Sequence, residues 1–201
     1  MRLLLIRHAE TTANVGRLLD TAPPGTNLSD RGREQADELV GGLDDVDLDA
    51  IYVSDLVRTQ QTAAPLARAR SLEPRVRPGV REIQAGDYEM APDDASWDAY
   101  LGVLYRWFDG EPAARIPGGE SGLEVMARYD AVVAEAAEHD SAAIVSHGAV
   151  IRAWTGARAS NVDRPFIAGS RLFNTAVIVL EGDPTDGWRV VTWANEPLPD
   201  L

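Results

Sequence analysis

Apolar residues along the chain fall into short unbroken runs and longer periodic ones. The short runs occupy residues 3–6, 50–53 and 142–145, and each stops abruptly at polar residues: Arg7 and His8, Ser54 and Asp55, Ser146 and His147. Unbroken runs of this length predict buried strands of a parallel sheet emptying into loops. A shorter strand end is predicted over 80–83. Two final strands, over 175–180 and 188–193, are expected to pair as an antiparallel edge across the turn-rich stretch 181–187.

Between these runs the period turns helical. Ser29 can cap a helix carrying Ala36, Leu39, Val40 and Leu43, with Gly41 and Gly42 at its fraying end. A second helix is predicted over 58–69 with Ala63, Leu66 and Ala67 inward and a kink at Pro65. Trp97, Tyr100, Leu101, Leu104 and Phe108 are spaced as one face of a helix that covers the core or roofs a pocket. Ser121 and Glu124 form a capping box opening a helix with Leu123, Met126, Ala127, Val133, Ala134 and Ala137 on its apolar side. Strands alternating with helices imply an α/β fold, a three-layer α/β/α sandwich around a mostly parallel central sheet. The 91–94 stretch is the nearest thing to a linker, and the expectation is one domain over 1–201.

Composition narrows the chemistry. The 201 residues hold 19 basic and 32 acidic side chains, a formal net charge of −13. There is no Cys, which removes disulfide frameworks, zinc–thiolate sites and cysteine nucleophiles. Every basic residue is Arg and none is Lys, so a Gly-Lys phosphate loop, a kinase-type lysine and a Schiff-base cofactor are excluded. The acidic balance disfavours nucleic acid and anionic membranes as partners. The first apolar run is too short for a signal-peptide core, so a cytoplasmic location is expected. A homodimer is left open, with the Trp- and Leu-containing carboxyl terminus as a candidate surface.

In an open parallel sheet, ligands bind beyond the carboxyl ends of the strands. Four strand ends would deliver Arg7 and His8, then Arg58, then Glu82, then His147 to one edge. The chain has three His, and two of them follow buried runs and precede a small residue, Ala9 or Gly148. Two imidazoles and two guanidiniums make a cationic pocket in an anionic protein, suited to the oxygens of a phosphoryl group. His139 is read as solvent-facing. The acidic run at Asp45, Asp47 and Asp49 has the look of an aspartate-nucleophile motif but precedes a strand, and Ser121 is explained by its capping box rather than as a hydrolase nucleophile.

These residues sit in motifs that resemble the histidine phosphatase (phosphoglycerate mutase-like) superfamily: LIRHAET with Asn14, NLSDRGREQA, SDLVRTQQTA, REIQAGDYE, PGGES, VSHGAVIR and NTAV, in order across nearly the whole chain. The resemblance implies that His8 is the nucleophile forming a phosphohistidine, that Arg7, Arg58 and His147 bind the phosphoryl group, and that Glu82 is the proton donor. It places Asn14 and Gly148 beside the substrate and implies no cofactor and no metal. Glu10 and Thr11 are read as scaffolding. The chemistry asks for an unprotonated nitrogen on His8, which neighbouring Arg7 and Arg58 favour by like-charge repulsion.

Ala9 replaces the commoner Gly after the first His, and Met90 stands where the family pattern has Gly. Glu82 is followed by IQAGDYEMA in a short chain, without the extra segment usual in phosphoglycerate mutases, which favours hydrolysis of a small phosphorylated metabolite. Mutase-type transfer and a non-catalytic phosphate-binding module are the alternatives. A helical substrate-side cap is expected over 87–118.

Overall fold

The structure, a computed structural model, describes residues 1–198. In chain order the elements are β1 (Arg2–Arg7), α1 (Thr12–Val15), α2 (Asp30–Gly42), β2 (Ala50–Val53), α3 (Val57–Arg70), β3 (Arg75–Val76), α4 (Asp94–Phe108), α5 (Gly122–Ala136), β4 (Ser141–Ser146), α6 (Gly148–Arg158), α7 (Arg164–Gly169), β5 (Val177–Asp183), β6 (Gly187–Trp193) and β7 (Glu196–Pro197).

The strands form one sheet in the order β3-β2-β4-β1-β5-β6-β7. The first four of these run parallel, while β5, β6 and β7 add antiparallel. The fold is α/β with a mixed sheet whose parallel part carries the strand ends of interest. The antiparallel edge forms because β5 and β6 are joined by a tight turn in which the Asp183 carboxylate accepts from the N–H groups of Thr185 and Asp186.

Alternation along β1 divides the core. Leu3 and Leu5 face the layer that holds Val125, Tyr129, Ile151 and Trp154 of α5 and α6, with Tyr100 and Leu104 of α4. Leu4 and Ile6 face Leu39 of α2 and Ala63 and Leu66 of α3. Helices thus cover both faces of the sheet, and burial of large apolar side chains on each is the main stabilising term.

Several expectations need correction. Residues 80–83 are no strand: Pro78–Val80 is a 3-10 turn, and Glu82 lies in the loop beyond it. The carbonyls a strand partner would have taken are instead held by Arg128 of α5, which donates to those of Gly79, Arg81 and Glu82. The inward face of α5 is Gly122, Val125, Tyr129, Val132, Val133 and Ala136, whereas Leu123 is 56% exposed and Ala127 and Ala134 lie outside. Apolar residues lie nearly all round this helix, so two stripes fit the sequence, and the bulky Tyr129 decides between them. Helix α3 runs on through Pro65. Helices α1, α6 and α7 and strands β3 and β7 lie outside the predicted elements, and β5 begins and ends later than expected. His139 is half-buried, with its Nε2 3.0 Å from Nη1 of Arg75.

Trp193 packs edge-on against Phe166 and is buried; the last three residues of the proposed carboxyl-terminal surface lie outside the described residues. Among the described residues, no helix is long and apolar enough to cross a membrane.

Candidate active site

At the carboxyl ends of β1, β2 and β4 the sheet opens into a cleft of about 230 Å³ whose lining includes Arg7, His8, Asn14, Arg58, Glu82 and Gly148. The chain reaches it because unbroken apolar runs carry each strand through the core, and the first polar residues emerge where the sheet ends. The loop after β1 is held there by its backbone: His8 N–H donates to the Ser146 carbonyl at 2.9 Å, and Ala9 N–H to Thr62 Oγ1 at 2.9 Å.

His8 is 4% exposed. Its Nδ1 lies 2.8 Å from the Ala9 carbonyl oxygen, which can only accept, so Nδ1 carries the ring proton and the neutral ring keeps its lone pair on Nε2. Burial, reinforced by the positive charges of Arg58 and Arg7, holds the His8 pKa well below the ordinary histidine value. A neutral imidazole with a fixed lone pair is what attack on phosphorus requires.

His147 lies at the amino end of α6, fully buried, with its ring centroid 5.2 Å from that of His8. Arg58 Nε donates to its Nδ1 at 3.2 Å, so the proton is on Nε2, which donates to Ser54 Oγ at 2.9 Å. Burial first, then Arg58, keeps this ring neutral as well. Both ring nitrogens of His147 are thus hydrogen-bonded to neighbouring side chains.

The guanidiniums are anchored from behind. Arg58, 2% exposed, donates from Nη2 to the Asp20 carbonyl at 2.8 Å and pairs through Nη1 with the Asp20 carboxylate at 3.3 Å. Arg7 donates from Nη1 to the Leu172 carbonyl at 2.7 Å, while its Nε is buried with no hydrogen-bond partner among the described residues. Burial lowers the pKa of both arginines. Gly148 makes room for Arg7: a Cβ there would lie 3.3 Å from Arg7 Nε.

Glu82 sits on the amino end of α6. Its Oε1 accepts from Val150 N–H at 2.9 Å and Ile83 N–H at 2.9 Å, and its Oε2 from Ala149 N–H at 3.1 Å. This main-chain cradle fixes the carboxylate at the cleft wall. The acid function implied for Glu82 requires one oxygen to take up a proton when the substrate arrives.

Asn14 caps the amino end of α1 through a capping box with Thr11, and its Oδ1 also accepts from Asn174 Nδ2 at 3.2 Å. Its own amide N–H groups are the ones it can offer a ligand. Glu10 accepts from Ser29 Oγ at 2.7 Å, a tie between the first loop and α2.

Six contributors escaped the sequence reading as individuals. Ser54, Thr62 and Asp20 hold His147, the His8 loop and Arg58, as described above. Asn174 donates to the His8 carbonyl at 2.9 Å, and Arg128, ion-paired with Glu120 at 2.7 Å, carries the Glu82 loop. Arg152 lines the cleft one helical turn beyond Gly148; its Nη2 donates to the Ile167 carbonyl and its Nε has no hydrogen-bond partner among the described residues. Ser54, Thr62, Asn174 and Arg152 stood inside the motifs given above, and for Arg152 the four-residue step from Gly148 on one helix face was the available signal.

Comparison with known proteins agrees with this geometry. The profile of the histidine phosphatase superfamily (branch 1) matches residues 3–196. The chain is 32% identical over 157 residues to phosphoserine phosphatase 1 of Hydrogenobacter thermophilus, covering 76% of this chain and 74% of that protein. It is 32% identical over 216 residues to the PE-PGRS family protein PE_PGRS11 of Mycobacterium tuberculosis, covering 96% of this chain but spanning only 36% of that longer protein. Among solved structures, a mycobacterial glucosyl-3-phosphoglycerate phosphatase in complex with VO3 superposes with a TM-score of 0.80 at 31% identity, over 96% of this chain and 98% of that one. With the ordered motifs, the adjacent buried rings of His8 and His147 and the match over nearly its full length, the chain belongs to the histidine phosphatase superfamily, branch 1.

Proposed function

We propose that this protein is a phosphatase that hydrolyses a small phosphorylated metabolite through a phosphohistidine on His8. The observation that carries the reading is the tautomer of His8: the Ala9 carbonyl fixes the proton on Nδ1, leaving Nε2 free in a cleft floored by guanidiniums. Nε2 attacks phosphorus as the ester P–O bond breaks, and Glu82 gives its proton to the departing alkoxide. Water then attacks the phosphohistidine and passes a proton back to Glu82, releasing phosphate and restoring His8. Arg7, Arg58 and Arg152 stabilise charge on the transferring oxygens. His147 holds Arg58 and exchanges a ring bond to reach the same oxygens, while Asn14 and the space at Gly148 complete the substrate side.

Metal independence belongs to the same reading. Among the described residues no three His, Asp or Glu side chains are grouped as ligands, and the guanidiniums supply the positive charge. The reading also takes residues 1–201 as one catalytic domain, the 87–118 segment with α4 as its substrate-side cap, and the cytoplasm as its location. The test is phosphate release from a panel of phosphomonoesters with EDTA present. Release by the wild type and none by His8→Ala supports the reading, whereas inhibition by EDTA or undiminished release by His8→Ala overturns it.

A further inference from the structure

Above the charged floor, the cleft is built differently. Its walls are Leu19 from the loop after α1, Trp97, Leu101 and Phe108 from α4, and Ile167 and Leu172 from α7 and the loop behind it. Most of the polar atoms of this wall are already bonded within the protein; the exception is Tyr105 of α4, which also lines the cleft. Trp97 Nε1 donates to the Arg17 carbonyl at 2.9 Å, and Tyr100 Oη to the Ile83 carbonyl at 3.1 Å. Asp20 is paired with Arg58, and Thr21 with Glu89. A sugar or polyol entering here would bury more hydroxyls than Tyr105 can partner once the floor groups hold the phosphate, and each unpartnered hydroxyl weakens binding by roughly 5- to 100-fold.

From this wall we infer that the substrate is a phosphomonoester whose organic group is small and apolar or aromatic, rather than a sugar or polyol. The inference rests on the phosphatase reading above. It deepens that reading by assigning the substrate class, with Trp97, Leu101 and Phe108 as specificity-determining residues. Size follows from volume: about 230 Å³ is less than the ~300–1,000 Å³ usual for drug-sized ligands, so phosphate and roughly one ring fill it.

The test compares benzyl phosphate with glycerol 3-phosphate and glucose 6-phosphate, all esters of primary alcohols, so that leaving-group chemistry does not set the order. Two readouts are taken: kcat/KM for phosphate release by the wild type, and equilibrium binding of the same compounds to His8→Ala. Benzyl phosphate is expected to exceed both polyol esters by about 30- to 100-fold in each. Leu101→Asn, checked for an unchanged melting transition, is expected to narrow that ratio at least about fivefold. Equal values, or a preference for glucose 6-phosphate, overturn the substrate class while leaving the phosphatase reading in place. Binding in the expected order without any turnover would uphold the class and overturn the phosphatase reading instead.

Discussion

Arg58 Nε donates to His147 Nδ1 across 3.2 Å in the buried floor of the cleft. An arginine has no lone pair to offer, so this single contact fixes the imidazole as acceptor at Nδ1, its proton on Nε2 and its charge at zero. The same contact orients Arg58, whose terminal nitrogens are already tied to Asp20. A cation and an imidazole therefore hold each other in place without an acid between them.

Ser54 completes this arrangement by accepting from His147 Nε2 at 2.9 Å while also contacting Thr59 Oγ1 at 3.0 Å. Ser54→Ala leaves a buried N–H without a partner. The expected cost is about 1–3 kcal/mol of stability by urea unfolding, together with a fall of about tenfold in kcat/KM. A loss of stability with unchanged kinetics would show that the ring orientation does not matter to turnover.

Arg128 tests how the Glu82 loop is positioned. It bridges Glu120 and the carbonyl groups of Gly79, Arg81 and Glu82, and Met would keep much of the stem while removing every donor. Arg128→Met is expected to lower kcat by about 10- to 100-fold with a smaller change in KM. Because Glu82 would act on the leaving group, the deficit should shrink for an aryl phosphate such as 4-nitrophenyl phosphate, whose leaving oxygen needs little protonation. An equal deficit on alkyl and aryl esters would contradict the positioning role.

Acid sensitivity follows from the two histidines. Both have native pKa values held well below the ordinary value by burial and neighbouring arginines. Between those depressed values and about 6.5 the unfolded chain binds protons that the native chain does not, so stability falls as pH drops through this window. The slope is about 1.4 kcal/mol per pH unit for each imidazole. Urea unfolding from pH 7.5 to 5 should show the decline beginning near 6.5, and His8→Asn should remove about half of the slope. A flat profile would mean that the buried rings are not neutral.

The sequence made the delivery of the site legible and left its support obscure. Arg7, His8 and His147 could be read because an unbroken apolar run ending in a polar residue has one simple meaning in a parallel sheet, whereas Arg58 stands in the first turn of α3 rather than at the end of β2. Glu82 was identified through its motif, although the strand expected to carry it does not exist; Arg128 provides the bonds that a neighbouring strand would have made. Ser54, Thr62, Asp20 and Asn174 act through contacts between segments far apart in the chain, and a short polar residue, whether in a loop or, like Thr62, on a helix, carries no local pattern to announce such a contact. The misplaced face of α5 has a related origin, since alanine contributes almost equally to an inward or an outward stripe.

The central claim is that phosphate passes through His8 Nε2. The most direct measurement is rapid quenching of the enzyme during turnover into alkaline denaturant, followed by mass spectrometry of the peptide containing His8. An acid-labile, alkali-stable phosphoryl group on His8 that disappears as substrate is exhausted is the predicted result. Turnover without phosphoryl on His8, or with it on another residue, would contradict the account.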